Sequence, residues 1–214
     1  MKNYLTTVLT KRHRTIRYFI VLCLFVSNSN MNAQNKEQLF GVRLSGGLAN
    51  FLYKDLPSRY HPRGVSYDIA LSTYLNWYDT SLGFNVEMGY AKKNVKDDFK
   101  GYSLNYLSLG LMPNYCFKGS SLILFLGVNG AILNYYTVLN NNPKGSTNFF
   151  KPYDVNFIVG FDKTLFIFDR VIVDLDSRFN LGLLNIQNSY SGSKTRNYGF
   201  SIGLLIKQDL KKRK

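Results

Sequence analysis

The chain is poor in the residues that most often carry chemistry. Its 214 residues include only two cysteines and two histidines. Cys23 and Cys116 give no CxxC pair, no disulfide framework and no metal-ligand spacing. Cys23 follows Leu22, where a lipoprotein signal needs a small residue, so lipidation is not expected. Beyond the first 34 residues the one histidine is His61, in SRYHPRG, with Asp55 and Ser58 nearby. A Ser/His/Asp triad needs its base held on a rigid scaffold within reach of the nucleophile. A loop bounded by Pro and Gly is not such a scaffold, and His61 reads as a solvated side chain. The chain is therefore expected to be no enzyme and to hold no cofactor or metal. An apolar run long enough for a transmembrane helix is missing too. The segment YFIVLCLFV at 18–26 has nine residues, whereas a helix needs ~20 to span a bilayer. No later stretch keeps a 3.6-residue period, which argues against a helical bundle.

Acids are scarce, 13 against 27 Lys and Arg, for a formal charge of +14. Five of the bases (Lys2, Lys11, Arg12, Arg14 and Arg17) lie in the first 34 residues, which hold no acid. A basic segment, the short apolar run and then Asn32-Ala33-Gln34 form the pattern of an export signal, with cleavage expected after Ala33. An N-terminal helical anchor is the other reading, and its apolar run is too short. The expected organisation is a signal over 1–33, one domain over 34–210, and a basic tail at 211–214 (KKRK).

What is abundant is aromatic residues, with 16 Tyr and 16 Phe, and a two-residue alternation. In 171–184, VIVDLDSRFNLGLL, Val171, Val173, Leu175, Phe179, Leu181 and Leu183 fall on one face, interrupted by Ser177. Asp174, Asp176, Arg178, Asn180 and Gly182 fall on the other, because a strand sends alternate side chains to opposite sides. The same pattern recurs over 41–51, 64–76, 81–91, 103–117, 122–134, 154–163 and 197–207. Small or polar residues always occupy the second face, among them Arg43, Asp68, Glu87, Asp154, Asp162 and Lys207. Short links are expected at 77–80, 118–121 and 164–170, and longer ones at 52–63, 92–102, 135–153 and 184–196.

Eight alternating strands with alternately short and long links predict an all-β fold, an eight-stranded antiparallel up-and-down transmembrane β-barrel. A lipocalin-like barrel would be apolar inside and polar outside. Here the second face carries the charges, while the apolar face is nearly unbroken and rimmed by Tyr53, Tyr74, Tyr90, Tyr102, Tyr115, Phe117 and Tyr198. Greasy outside and polar inside is the membrane arrangement. An eight-stranded lumen is just wide enough for side chains to fill it. The inward Arg43, Asp68, Glu87, Asp174, Asp176 and Arg178 are therefore expected to form a structural charge network that plugs it. Glu87 and Arg178, four strands apart in a ring of eight, should meet. Lys92, Lys93, Lys96 and Lys100 with Asp97 and Asp98 read as a mixed-charge loop, able to contact lipopolysaccharide phosphates or to remain solvated.

The stretches GVRLSGGLANF, FNVEMGYAKKNV, YLSLGLMPNYCF and DSRFNLGLLNIQN, in this order and spacing, resemble the PorT-like outer-membrane β-barrel family of Gram-negative bacteria. The likeness covers essentially the whole chain after the signal. It departs from the usual pattern in running past Ile206-Lys207 into QDLKKRK, where such barrels usually end on an aromatic residue. The resemblance implies an outer-membrane location among outer-membrane lipid and lipopolysaccharide. It also implies an envelope role, with periplasmic or secretion-machinery proteins as partners and no nucleic acid. The reading that follows is a small structural or interaction barrel, accessory to secretion, with a narrow channel or transporter as the alternative.

Overall fold

In a computed structural model, residues 36–53, 63–77, 81–96, 101–117, 119–138, 150–186 and 195–209 are described. They form β1 (Lys36–Tyr53), β2 (Arg63–Trp77), β3 (Leu82–Lys96), β4 (Gly101–Cys116), β5 (Leu122–Val138), β6 (Tyr153–Phe168), β7 (Val171–Gly182) and β8 (Thr195–Asp209). Each strand pairs antiparallel with the next, and β8 closes on β1, so the sheet is a barrel with no free edge. The expected signal over 1–33 lies outside the described residues.

The register shows that the strands tilt. From Phe166 the pairing runs through Val173, Ile206, Val42, Leu71, Met88, Leu109 and Gly130, and returns to β6 at Val155. That offset is the shear a closed barrel requires, and it raises one wall of the lumen against the next.

Several strands run further than the alternation alone suggested. The expected link 92–102 shrinks to 97–100, because Lys92, Lys93 and Lys96 continue β3 and pair with β4. The lysines are thus strand residues rather than loop residues; Asp97, Asp98 and Lys100 lie outside the described residues. The expected link 164–170 becomes a two-residue turn at Asp169-Arg170, with β6 continuing through a bulge between Thr164 and Phe166. Asp169 holds φ at 50°, which the short Asp side chain tolerates. Both errors have one cause: charged or consecutive apolar residues break the alternation, yet backbone pairing carries on through them.

The exterior is apolar. Leu44, Leu48, Val65, Ile69, Leu111, Leu126, Val128, Ile202 and Leu204 are all exposed, while on the opposite face Arg43, Glu87, Asp162, Asp174, Asp176, Arg178 and Lys207 are buried and Asp68 and Lys93 partly so. A closed barrel with this polarity is built to cross a bilayer, since the strand ladders close on themselves and the exposed belt is greasy. Tyr67, Tyr135 and Tyr153 are exposed toward the long-link end, and Phe40, Tyr115, Phe117, Phe166 and Phe168 toward the short-turn end. Two aromatics expected on this outer girdle are not on it. Tyr74 and Tyr102 point into the lumen and are buried. The side chain of Tyr53 lies outside the described residues.

Candidate functional site

The lumen is filled in layers. Starting from the short-turn end, Tyr74 on β2 donates its hydroxyl to Asp162 Oδ2 of β6 at 2.9 Å, across the barrel. Lys207 of β8 lies over the Tyr74 ring, 4.7 Å from its centroid, and pairs with Asp174 of β7. Leu39 and Leu205 pack against Tyr74 and complete this floor.

Above it lies the main charge layer. Arg178 sits between two carboxylates: its Nη1 and Nη2 each donate to one oxygen of Glu87 at 2.6 Å, and its Nε donates to Asp176 Oδ2 at 2.7 Å. A guanidinium offers five donors in a planar fork, so it can satisfy a bidentate carboxylate and a second one together. Ser72 and Asn85 donate to Glu87 Oε1 at 3.2 and 3.3 Å. Arg43 binds Asp68 Oδ1 at 2.6 Å and approaches Glu87 at 3.6 Å and Asp176 at 3.7 Å. Phe125 stacks on the Arg178 guanidinium at 4.8 Å and, with Met112 and Ile158, fills the remaining wall. The ring fits because β6 passes beneath it as Gly160; a Cβ there would lie 2.6 Å from Phe125 Cζ.

Above the charges is a polar cavity of about 70 Å³, bordered by Arg43, Asp68, Lys93, Asn129, Asn156 and Arg178. That is room for a handful of waters, not for a solute path. An aromatic cap closes the lumen beyond it. Phe150, from the segment before β6, meets Tyr102 and Tyr136 edge-on, each at 5.2 Å, and Phe51 at 6.1 Å. Leu104, Val95 and Ile186 complete the cap. The backbone ties it in place: Lys151 N–H donates to Ile186 C=O, and Ile186 N–H to Thr195 C=O.

Of the six side chains expected in a plug, Arg43, Asp68, Glu87, Asp176 and Arg178 meet in one network. Asp174 does not join them and belongs to the floor with Lys207. Asp162 and Lys207 already stood on the inward face of the alternation, so their place in the lumen was available from the sequence. Tyr74 was hidden, because a tyrosine near a strand end looks like a girdle residue. Its two-residue spacing from Ser72 was the available signal. Asp154, also inward, accepts from Asn197 Nδ2 at 2.7 Å in the upper lumen.

Among the described residues no group of three or more His, Cys, Asp or Glu side chains could hold a metal ion. His61, Asp55 and Ser58 lie outside the described residues.

Removing the Tyr74 hydroxyl tests the floor. Tyr74→Phe is expected to destabilise the barrel by about 1–3 kcal/mol, the range for a buried polar group that loses its partner, because it leaves a buried Asp162 oxygen unpaired. Urea unfolding of the refolded protein, followed by tryptophan or tyrosine fluorescence, measures it. An unchanged midpoint would show that the contact contributes nothing.

No family model matches the chain, and no curated protein matches it. Solved structures do. Neisserial surface protein A shares the fold at TM-score 0.52, with 15% identity over 78% of this chain and 96% of that one. The outer membrane enzyme PagL gives 0.46 at 16% identity over 77% and 97%. OprG from Pseudomonas aeruginosa gives 0.42 at 13% identity over 81% and 95%. The fold is that of a small outer-membrane β-barrel. At these identities the likeness concerns architecture alone.

Proposed function

We infer that the protein is an outer-membrane barrel acting through its rims and outer wall, not as a diffusion pore. The carrying observation is the triple closure of the lumen: the Tyr74–Asp162 floor, the Arg43–Glu87–Arg178–Asp176 layer and the Phe150 cap. To admit a solute, buried charges that satisfy one another would have to separate, at several kcal/mol for each stranded ion. The barrel end at which β1, β3, β5 and β7 finish faces the outside, and the end with the turns after β2, β4 and β6 faces the periplasm, as the link-length asymmetry of such barrels supports. The role is structural or interactive, of the kind the PorT-like resemblance implies, including service as an accessory to protein secretion. Its partners are outer-membrane lipid, lipopolysaccharide and envelope proteins.

Three measurements check this reading. The protein should fractionate with the outer membrane and migrate faster on a gel unheated than boiled; recovery from the soluble periplasm would overturn it. Reconstituted in a planar bilayer, it should show little or no steady conductance. A stable open level would favour a narrow channel instead. A tag in the turn at Gly119 should be hidden from antibody on intact cells, and one at Asn141 should be reached.

A further inference from the structure

The outer wall is not uniformly covered. Gly46 on β1 faces outward, and a Cβ added there would meet only the Ser66 carbonyl oxygen, at 3.8 Å. Its register partners on either side, Tyr67 of β2 and Ile202 of β8, are both large and outward-facing, each at least half exposed. A missing side chain between two large ones makes a trough. The trough is part of a shallow, open apolar groove that runs along β1 past Val42, Leu44, Ile69 and Leu204.

The groove changes character at the end nearest the long links. Tyr90 and Lys92 of β3 border it there, and Lys92 pairs in register with Tyr67. Lys92 is exposed, and Lys96 stands on the same outward face four residues further along the strand, also exposed. Ammonium groups on the lipid side of a barrel are tolerated near the interface and costly at the midplane. Two of them above an apolar trough therefore mark headgroup depth, with the trough descending into the hydrocarbon. Tyr67 and Tyr90 supply the amphipathic rings that belong at such a boundary.

We propose that the Gly46 groove binds one acyl chain of a phosphate-bearing lipid from the leaflet at the long-link end, with Lys92 and Lys96 engaging its phosphate. The occupant is a lipid rather than a protein because the groove lies within the greasy belt, where a lipid tail is the neighbour on every side. It is anionic because the outward side chains at the groove mouth, Lys92 and Lys96, carry ammonium groups, while Asp68, which also borders the groove, turns its carboxylate inward onto Arg43. The choice of leaflet rests on the orientation inferred above; the groove and its chemistry do not.

The test uses the full-length mature chain refolded in detergent and native mass spectrometry, titrating in lipid A in its phosphorylated and dephosphorylated forms. Wild type should retain the phosphorylated form about fivefold better, the factor expected from roughly 1 kcal/mol for a partly exposed charge pair. Lys92→Ala should reduce that preference, and the double variant with Lys96→Ala should abolish it. Gly46→Leu should fill the trough and lower retention of both forms. Gly130→Leu is the control: Gly130 also faces outward with nothing within 4 Å of an added Cβ, but lies on β5, away from the groove. Equal retention by the Gly46 and Gly130 variants, or an undiminished phosphate preference in the lysine variants, would overturn the proposal. The lysine variants alter exposed side chains and decide the matter even if Gly46→Leu fails to fold. Display of a Gly119 tag on intact cells would reverse the orientation while leaving a measured phosphate preference standing.

Discussion

Arg178→Ala is expected to lower the unfolding free energy by about 3–5 kcal/mol, the range for breaking a buried ion pair from one side. Removing the guanidinium leaves Glu87 and Asp176 facing each other in the lumen. Among the described residues the one cation left within 4 Å of both is Arg43, at 3.6 and 3.7 Å, and it already binds Asp68 at 2.6 Å. Glu87→Ala should cost less, because Arg178 keeps Asp176 through Nε. The two substitutions should be strongly non-additive, since each removes the same pair of hydrogen bonds at 2.6 Å. Denaturant unfolding of the two single variants and the double variant measures this directly. Simple addition of the two losses would show that the side chains do not interact in the folded protein. The network need not be a net stabiliser, because a buried pair can lose more in desolvation than it gains. Its role in this reading is to fill and close the lumen in one register.

Gly47→Ala is expected to prevent barrel closure, and Gly47→Val to do so completely. Gly47 lies at the seam where β1 meets β8, paired with Ser201. An added Cβ would fall on the Phe200 carbonyl oxygen and come within 2.6 Å of Ser201 Cα. These are backbone atoms of a paired strand and cannot rotate away as a side-chain tip could. Relief requires the seam to separate, which takes ladder hydrogen bonds with it. The cost should exceed the ~1–3 kcal/mol usual for an overpacked core. A gel-shift assay of heat modifiability reads the outcome, since an unclosed chain shows no fast-migrating form. The Gly130→Ala variant, where nothing lies within 4 Å, should fold normally. Equal folding yields for the two variants would show that the seam can absorb a methyl group.

Much of this architecture was legible in the residue order because a β-barrel is written in a two-residue code. Alternation in VIVDLDSRFNLGLL sends Asp174, Asp176 and Arg178 to one side, and the structure buries all three. Strand count and alternating link lengths led to the closed ring, and diametric opposition of β3 and β7 followed from the count. Glu87 and Arg178 meet for that reason. The code fails where alternation stops: it cut β3 at Ala91 although pairing continues to Lys96, and it ended β6 at Lys163 although pairing continues to Phe168.

By itself, then, the sequence determined the strand number, the polarity of the two faces and the identity of most lumen side chains, because these depend only on local spacing. Depth in the lumen was decided by tertiary structure. The shear of the closed ring sets each strand's height against its neighbours, and no local pattern encodes that sum. It places Asp174 beside Lys207 and leaves Asp176 beside Arg178, though the two aspartates are only two residues apart. It sets Tyr74, whose spacing from Ser72 already faces it inward, at the height of Asp162 on the opposite wall. The Phe150 cap is likewise tertiary, since a phenylalanine in an irregular segment shows no periodicity. Its burial depends on Tyr102, Tyr136 and Phe51 arriving from three other strands.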